Sequence, residues 1–259
     1  MRPRRRLIRR PGTSLPLTHL MPNLVTILGL CAGLTSIRFA VQERFEIAAA
    51  LIVFAALIDG LDGLLARRLN AASPFGAELD SLADFVNFGV APGVLVYLLA
   101  LQPVAALGWV FVLAYAICCC LRLARFNLTR DEPLLPGTRA QFTGVPAPAG
   151  AGLALVPVFL TLQGVLDARA MPLFWALYLG VVGALMISRL PTPSIKTLRI
   201  SREYVGFVLI GAAVVVGLMF TSFWLLMLLM AAVYCALLAR NIWLVWRDRR
   251  NRTEDGDAT

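Results

Sequence analysis

The stretch from Ile47 to Asp84, IAAALIVFAALIDGLDGLLARRLNAASPFGAELDSLAD, makes two conflicting demands on its surroundings. Its first half is apolar enough to cross a bilayer, yet Asp59, Asp62, Asp80 and Asp84 lie in segments that otherwise read as membrane-spanning. An ionisable group at mid-membrane costs about 2.5–3.5 kcal/mol on insertion scales, so several in one short stretch require a cation, water or partner. Their spacing shows how such a requirement is shared. Asp59 and Asp62 are three residues apart and Asp80 and Asp84 four, which sets each pair on one helical face. Asn70, Ser73 and Pro74 break the chain between the pairs, with Ser73 placed as an N-cap, so an antiparallel hairpin brings the two faces together. Four facing carboxylates repel unless a divalent cation joins them, and an oxygen-only ligand set suits Mg²⁺ or Mn²⁺. Gly60, Gly63 and Gly76 remove side chains beside the acids, and Arg67, at the end of the first helix, is suited to phosphate.

Outward from this hairpin the chain stays apolar. Of its 259 residues 59% are hydrophobic, against about 45–50% in a soluble domain. The expected fold is an all-α integral membrane protein, a bundle of about eight transmembrane helices near 23–41, 46–67, 78–101, 104–124, 146–166, 171–189, 203–221 and 223–246. A basic arm (1–22), lying at the interface, precedes the membrane domain (23–246), and a charged tail (247–259) follows it. With both termini cytoplasmic, the inner segments collect every one of the 24 Lys and Arg except Arg38, Arg44 and Arg169. That distribution satisfies the positive-inside rule, so the net charge of +9 reads as topology and no nucleic-acid partner is expected. The start MRPRRRLIRRPG imitates a secretory signal, but no small-residue cleavage site follows, and it reads as the arm of a retained first helix. Cys31, Cys118, Cys119, Cys120 and Cys235 lack paired metal-site spacing, and His19 is the only histidine, which leaves the chemistry to carboxylates.

Written as a pattern, Asp59 to Asp84 is D-x2-D-G-x2-A-R-x8-G-x3-D-x3-D, with Asp59, Asp62, Gly63, Ala66, Arg67, Gly76, Asp80 and Asp84 at the fixed positions. This resembles the signature of the CDP-alcohol phosphotransferase family. PNLVT at 22–26 is similar to that family's first-helix entry, and ELDSLADFVNFGVAPG, RLARFN at 122–127, FTGVPAPAGAG at 142–152 and SRLPTPSIK at 188–196 resemble its bacterial and archaeal branch that makes phosphatidylserine. The resemblance implies a six-helix core with two further C-terminal helices, acting in phospholipid biosynthesis in the cell (inner) membrane with its site facing the cytoplasm. It implies that Asp59, Asp62 and Asp80 hold divalent metal, with Asp84 sharing an ion and serving as general base. Asn23, Thr26, Asp59, Gly63 and Arg67 would bind the CDP group, and a homodimer is implied as well. The donor would be CDP-diacylglycerol and the acceptor L-serine, with glycerol 3-phosphate or an inositol phosphate as the alternative. Arg122 and Arg125, at the cytoplasmic end of the fourth span, either grip the serine carboxylate or anchor the helix end. Glu78 is two residues from Asp80 and points to nearly the opposite side. Intramembrane carboxylates also suit a cation transporter, but these cluster on adjacent helices beside an Arg and glycines rather than at matching positions of two repeats.

Overall fold

Small residues decide how the first two helices meet. In a computed structural model, which describes residues 20–69, 73–130, 144–188 and 205–256, helix α1 (Met21–Val41) buries Gly29, Ala32, Gly33, Ser36 and Ala40 along one face. Helix α2 (Phe45–Arg68) answers with Ala48, Ala49, Ile52 and Ala55, each at most 2% exposed. Lipid tails are as apolar as leucine, so helices associate in a membrane through close packing of such small side chains and through interhelical hydrogen bonds. Ser36 supplies one, its hydroxyl donating to the Ala48 carbonyl at 2.8 Å. The connection between the helices is tight, with Glu43 at a φ of 59°.

Among the described residues four apolar helical stretches are long enough to cross a bilayer: Met21–Val41, Phe45–Leu65, Pro74–Leu128 and Phe223–Leu244. The third, at 55 residues, is about twice the length a bilayer accommodates. It is a hairpin. Helix α3 (Pro74–Asp84) runs through a π-helical turn (Phe85–Val90) into α4 (Ala91–Val96) and a second π segment (Tyr97–Leu101). A 3₁₀ turn at Gln102–Val104 reverses it, and α5 (Ala105–Arg130) packs back along the same segments. Ser73 caps α3, accepting from the Gly76 amide at 3.0 Å, so this helix begins four residues earlier than the expected span at 78.

Proline accounts for the irregular turns, and side chains repair them. A proline inside a helix has no N–H for the carbonyl four residues earlier, and that carbonyl needs another donor where no water is available. Pro92 leaves the Phe88 carbonyl, which the buried Tyr115 hydroxyl reaches at 2.6 Å. Pro157 leaves Leu153, and the Tyr178 hydroxyl donates there at 2.9 Å. Pro103 leaves Leu99, and the Arg169 Nε donates at 3.4 Å. Pro157 also explains why the helix expected over 146–166 appears as two, α6 (Ala147–Ala154) and α7 (Val156–Leu162), meeting at Leu155.

Helix α8 (Pro172–Ile187) packs on α5, and Gly144, at a φ of 86°, lies so close to its end that a Cβ there would stand 2.5 Å from the Met186 carbonyl oxygen. Helix α9 (Val205–Thr221) and the long α10 (Phe223–Gly256) complete the chain, with α10 lying against α7 and continuing through most of the charged segment expected as a tail. Among the described residues the protein is all-helical. The basic arm before Leu20, residues 131–143 and most of SRLPTPSIK lie outside those residues.

Candidate active site

Hairpin geometry brings the acids of α2 and α3 together, as their spacing predicts. Asp59, Asp62 and Asp80 each offer a carboxylate oxygen, and these atoms lie within 4.8 Å of one another. Asp84, one turn beyond Asp80, is not part of that trio but sets its carboxyl against that of Asp59. Asp62 is 4% exposed and its Oδ2 accepts a hydrogen bond from the Thr26 hydroxyl at 2.7 Å; the Pro22 carbonyl, at 3.0 Å, is the other acceptor within reach of that single proton. Thr26, expected beside the nucleotide diphosphate, is therefore in contact with the acid cluster itself.

The donor set fits a hard divalent cation. Three converging carboxylates without a sulfur or imidazole match the oxygen-rich, octahedral preference of Mg²⁺ or Mn²⁺, and a divalent cation between them relieves the repulsion that otherwise drives them to protonate. A methyl group added at Gly60 or Gly63 would meet nothing within 4 Å, so the backbone beside Asp59 and Asp62 is open to a ligand. Gly76 serves a different purpose: a Cβ there would stand 2.8 Å from the Asn23 Oδ1, so its bareness lets α1 approach the start of α3. Asn23 thus sits by the α3 N-terminus. Arg67 belongs to α2, but its side chain lies outside what the structure describes.

The two arginines of α5 have different surroundings. Arg125 donates from its guanidinium to the carbonyls of Ile187, at 3.0 Å, and Ser188, at 3.4 Å, at the end of α8. Arg122 is half-buried, its Nε enclosed without a hydrogen-bond partner, and it lies within electrostatic reach of Asp84 and of Tyr234 on α10. Asn127 ties the same helix to α3, its amide donating to the Ser81 Oγ at 3.0 Å. Sequence reasoning passed over Tyr234 and Asn87. The latter had a legible signal, being a polar residue three positions after Asp84 in an otherwise apolar run.

Residues 19–188, which hold all of these groups except Tyr234, match the family model described as CDP-alcohol phosphatidyltransferase. The chain belongs to that family. Among similar CDP-alcohol phosphatidyltransferases, a protein of Mycobacterium leprae (strain TN) is 44% identical over 219 residues, covering 81% of this chain and 71% of its own. One of Mycobacterium bovis (strain ATCC BAA-935 / AF2122/97) is 40% identical over 201 residues, covering 76% and 68%. One of Bacillus subtilis (strain 168) is 36% identical over 178 residues, covering 68% of this chain and 91% of its own. All three carry the name CDP-diacylglycerol--serine O-phosphatidyltransferase.

Proposed function

We propose that this CDP-alcohol phosphatidyltransferase transfers the phosphatidyl group of CDP-diacylglycerol to the hydroxyl of L-serine, giving phosphatidylserine and CMP. The observation that carries the reading is the convergence of Asp59, Asp62 and Asp80 with Asp84 against them, within the family-matched region of a chain whose relatives are named for this reaction. Asp59, Asp62 and Asp80 would hold the divalent cation, Mg²⁺ or Mn²⁺, with the Asp84 carboxyl beside that of Asp59. When bound, that ion neutralises charge on the diphosphate and on departing CMP.

The protein groups do the rest. Asp84 accepts the proton of the serine hydroxyl as its oxygen forms a bond to the phosphatidyl phosphorus, while the bond from phosphorus to the CMP oxygen breaks. Thr26 holds Asp62 in orientation by its hydrogen bond. The open backbone at Gly63, together with Asn23, Thr26, Asp59 and Arg67, receives the CDP group. Charge distribution supports eight spans with both termini and the active site on the cytoplasmic side of the cell (inner) membrane, where CMP leaves. Resemblance to the family supports a homodimer as part of this reading.

Purified protein should release CMP from CDP-diacylglycerol on addition of serine together with Mg²⁺ or Mn²⁺, and much less with glycerol 3-phosphate or inositol phosphates. Equal release with another acceptor would overturn serine as substrate, and release without divalent cation would overturn the role of the acids.

Of the two arginines considered for the acceptor, Arg122 has the better geometry, because its Nε is unpaired and near Asp84, whereas Arg125 donates to helix-end carbonyls. Arg→Lys keeps the charge and loses the fork that matches a carboxylate. Arg122→Lys should raise the serine KM about tenfold, as expected for losing one charge-assisted hydrogen bond, with a smaller effect on that for CDP-diacylglycerol. Arg125→Lys should lower the Tm and leave the serine KM in place. A serine KM unchanged in Arg122→Lys removes this residue from the acceptor pocket.

A further inference from the structure

Asn87 has no part in the chemistry assigned so far, yet it is among the most enclosed polar side chains of the protein, 2% exposed, in the π-helical turn that follows Asp84. Such turns recur at functional sites because one extra residue re-aims the side chains that follow. Here it faces α1, where Gly33 makes room for it. A Cβ at Gly33 would collide with the Asn87 Oδ1, and one at Gly29 would stand 3.6 Å from its Nδ2. Gly33 is thus needed to admit the amide, while Gly29 meets it at ordinary contact distance.

That amide is not a satisfied core group. Its Oδ1 is buried without a hydrogen-bond partner, and the side chain lines a small cavity together with Thr26, Asp59, Asp62, Asp80 and Asp84. Buried amides are paired as a rule, and leaving one unpaired is costlier than an apolar side chain of the same shape. The cavity has room for about one water molecule, and its polar lining supplies the several partners a buried water requires. An amide offers both an acceptor and donors, so it can hold that water whichever way its hydrogens point.

We propose that Asn87 is a positioning residue of the acid cluster: its amide holds a water against the carboxylates of Asp59 and Asp84 and so fixes the faces they turn toward the cation and the acceptor. This rests on reading the cluster as a cation and reaction centre. It adds an outer-sphere group contributed by α3's continuation and seated by α1, and it gives Gly33 of α1 a function beyond close packing.

The test compares Asn87→Ala with Asn87→Ser in the purified full-length protein. Both variants are small and differ by one hydroxyl, which can still hold a water. Mn²⁺ binding, read without turnover from loss of the free-ion paramagnetic resonance signal, should weaken about tenfold in Asn87→Ala, and kcat should fall about 10–100-fold, the range for losing an outer-sphere partner. The KM values for both substrates should change little. Asn87→Ser should recover most of the Mn²⁺ affinity and of kcat at a Tm equal to that of Asn87→Ala. Alanine and serine variants alike in Mn²⁺ affinity and kcat, whether both fall or both match wild type, would overturn the proposal. Wild-type protein inactive with serine would sink the acceptor reading alone, because the Mn²⁺ comparison still decides the role of Asn87.

Discussion

Asp84→Asn should lower turnover about 10²–10⁴-fold while leaving divalent-cation binding close to that of wild type, the loss expected when a general base can no longer take a proton. The asymmetry within the cluster supports this division of labour. Asp59, Asp62 and Asp80 offer oxygens to a common point, whereas Asp84 stands outside that trio with its carboxyl against Asp59. Asparagine keeps the size of the side chain, and its amide can donate to Asp59, so the contact persists and only proton acceptance is lost. CMP release under saturating substrates measures the turnover, and Mn²⁺ binding without substrates measures the cation site. Near-normal turnover would remove Asp84 as the base; a loss of Mn²⁺ affinity as large as that of a trio member would make it a ligand instead.

The acid hairpin was legible because helical periodicity is a local property. Spacings of three and four residues and the N-cap at Ser73 depend on neighbours in sequence, and the cap and the converging acids are present in the structure. What the sequence left open depends on partners far along the chain. Arg122 and Arg125 are indistinguishable by composition, both lying at one helix end; the carbonyls of Ile187 and Ser188, more than sixty residues away, separate them. The break in the fifth expected span follows from Pro157, but that Tyr178 would repair it required knowing how α8 packs. Thr26 carries the same lesson. A motif resemblance places it beside the nucleotide, and the packing of α1 on α2 adds a contact that the motif does not state, its hydroxyl donating to Asp62. Asn87 had a readable position, but that Gly33 of α1 receives its amide depends on how α1 packs against the turn after Asp84.

Asp62→Asn should weaken Mg²⁺ and Mn²⁺ binding by more than the roughly 100-fold upper range for outer-sphere changes, because a ligating carboxylate is lost rather than its support. Activity should then require far more divalent cation and recover in part when it is supplied. The direction follows from charge: the three-carboxylate trio loses one negative ligand, and the neutral amide that replaces it attracts a hard cation less. Thr26→Val provides the graded comparison. It leaves all three carboxylates in place and removes only the 2.7 Å hydrogen bond that orients Asp62, so its effect on cation affinity should be smaller and fall within the outer-sphere range. Titrating CMP release against Mn²⁺, alongside direct Mn²⁺ binding, separates a cation defect from a chemical one, since added metal rescues the first and not the second. A metal dependence in Asp62→Asn identical to that of wild type would mean that the buried carboxylate, held by Thr26 and 4% exposed, serves packing between α1 and α2 and not the cation.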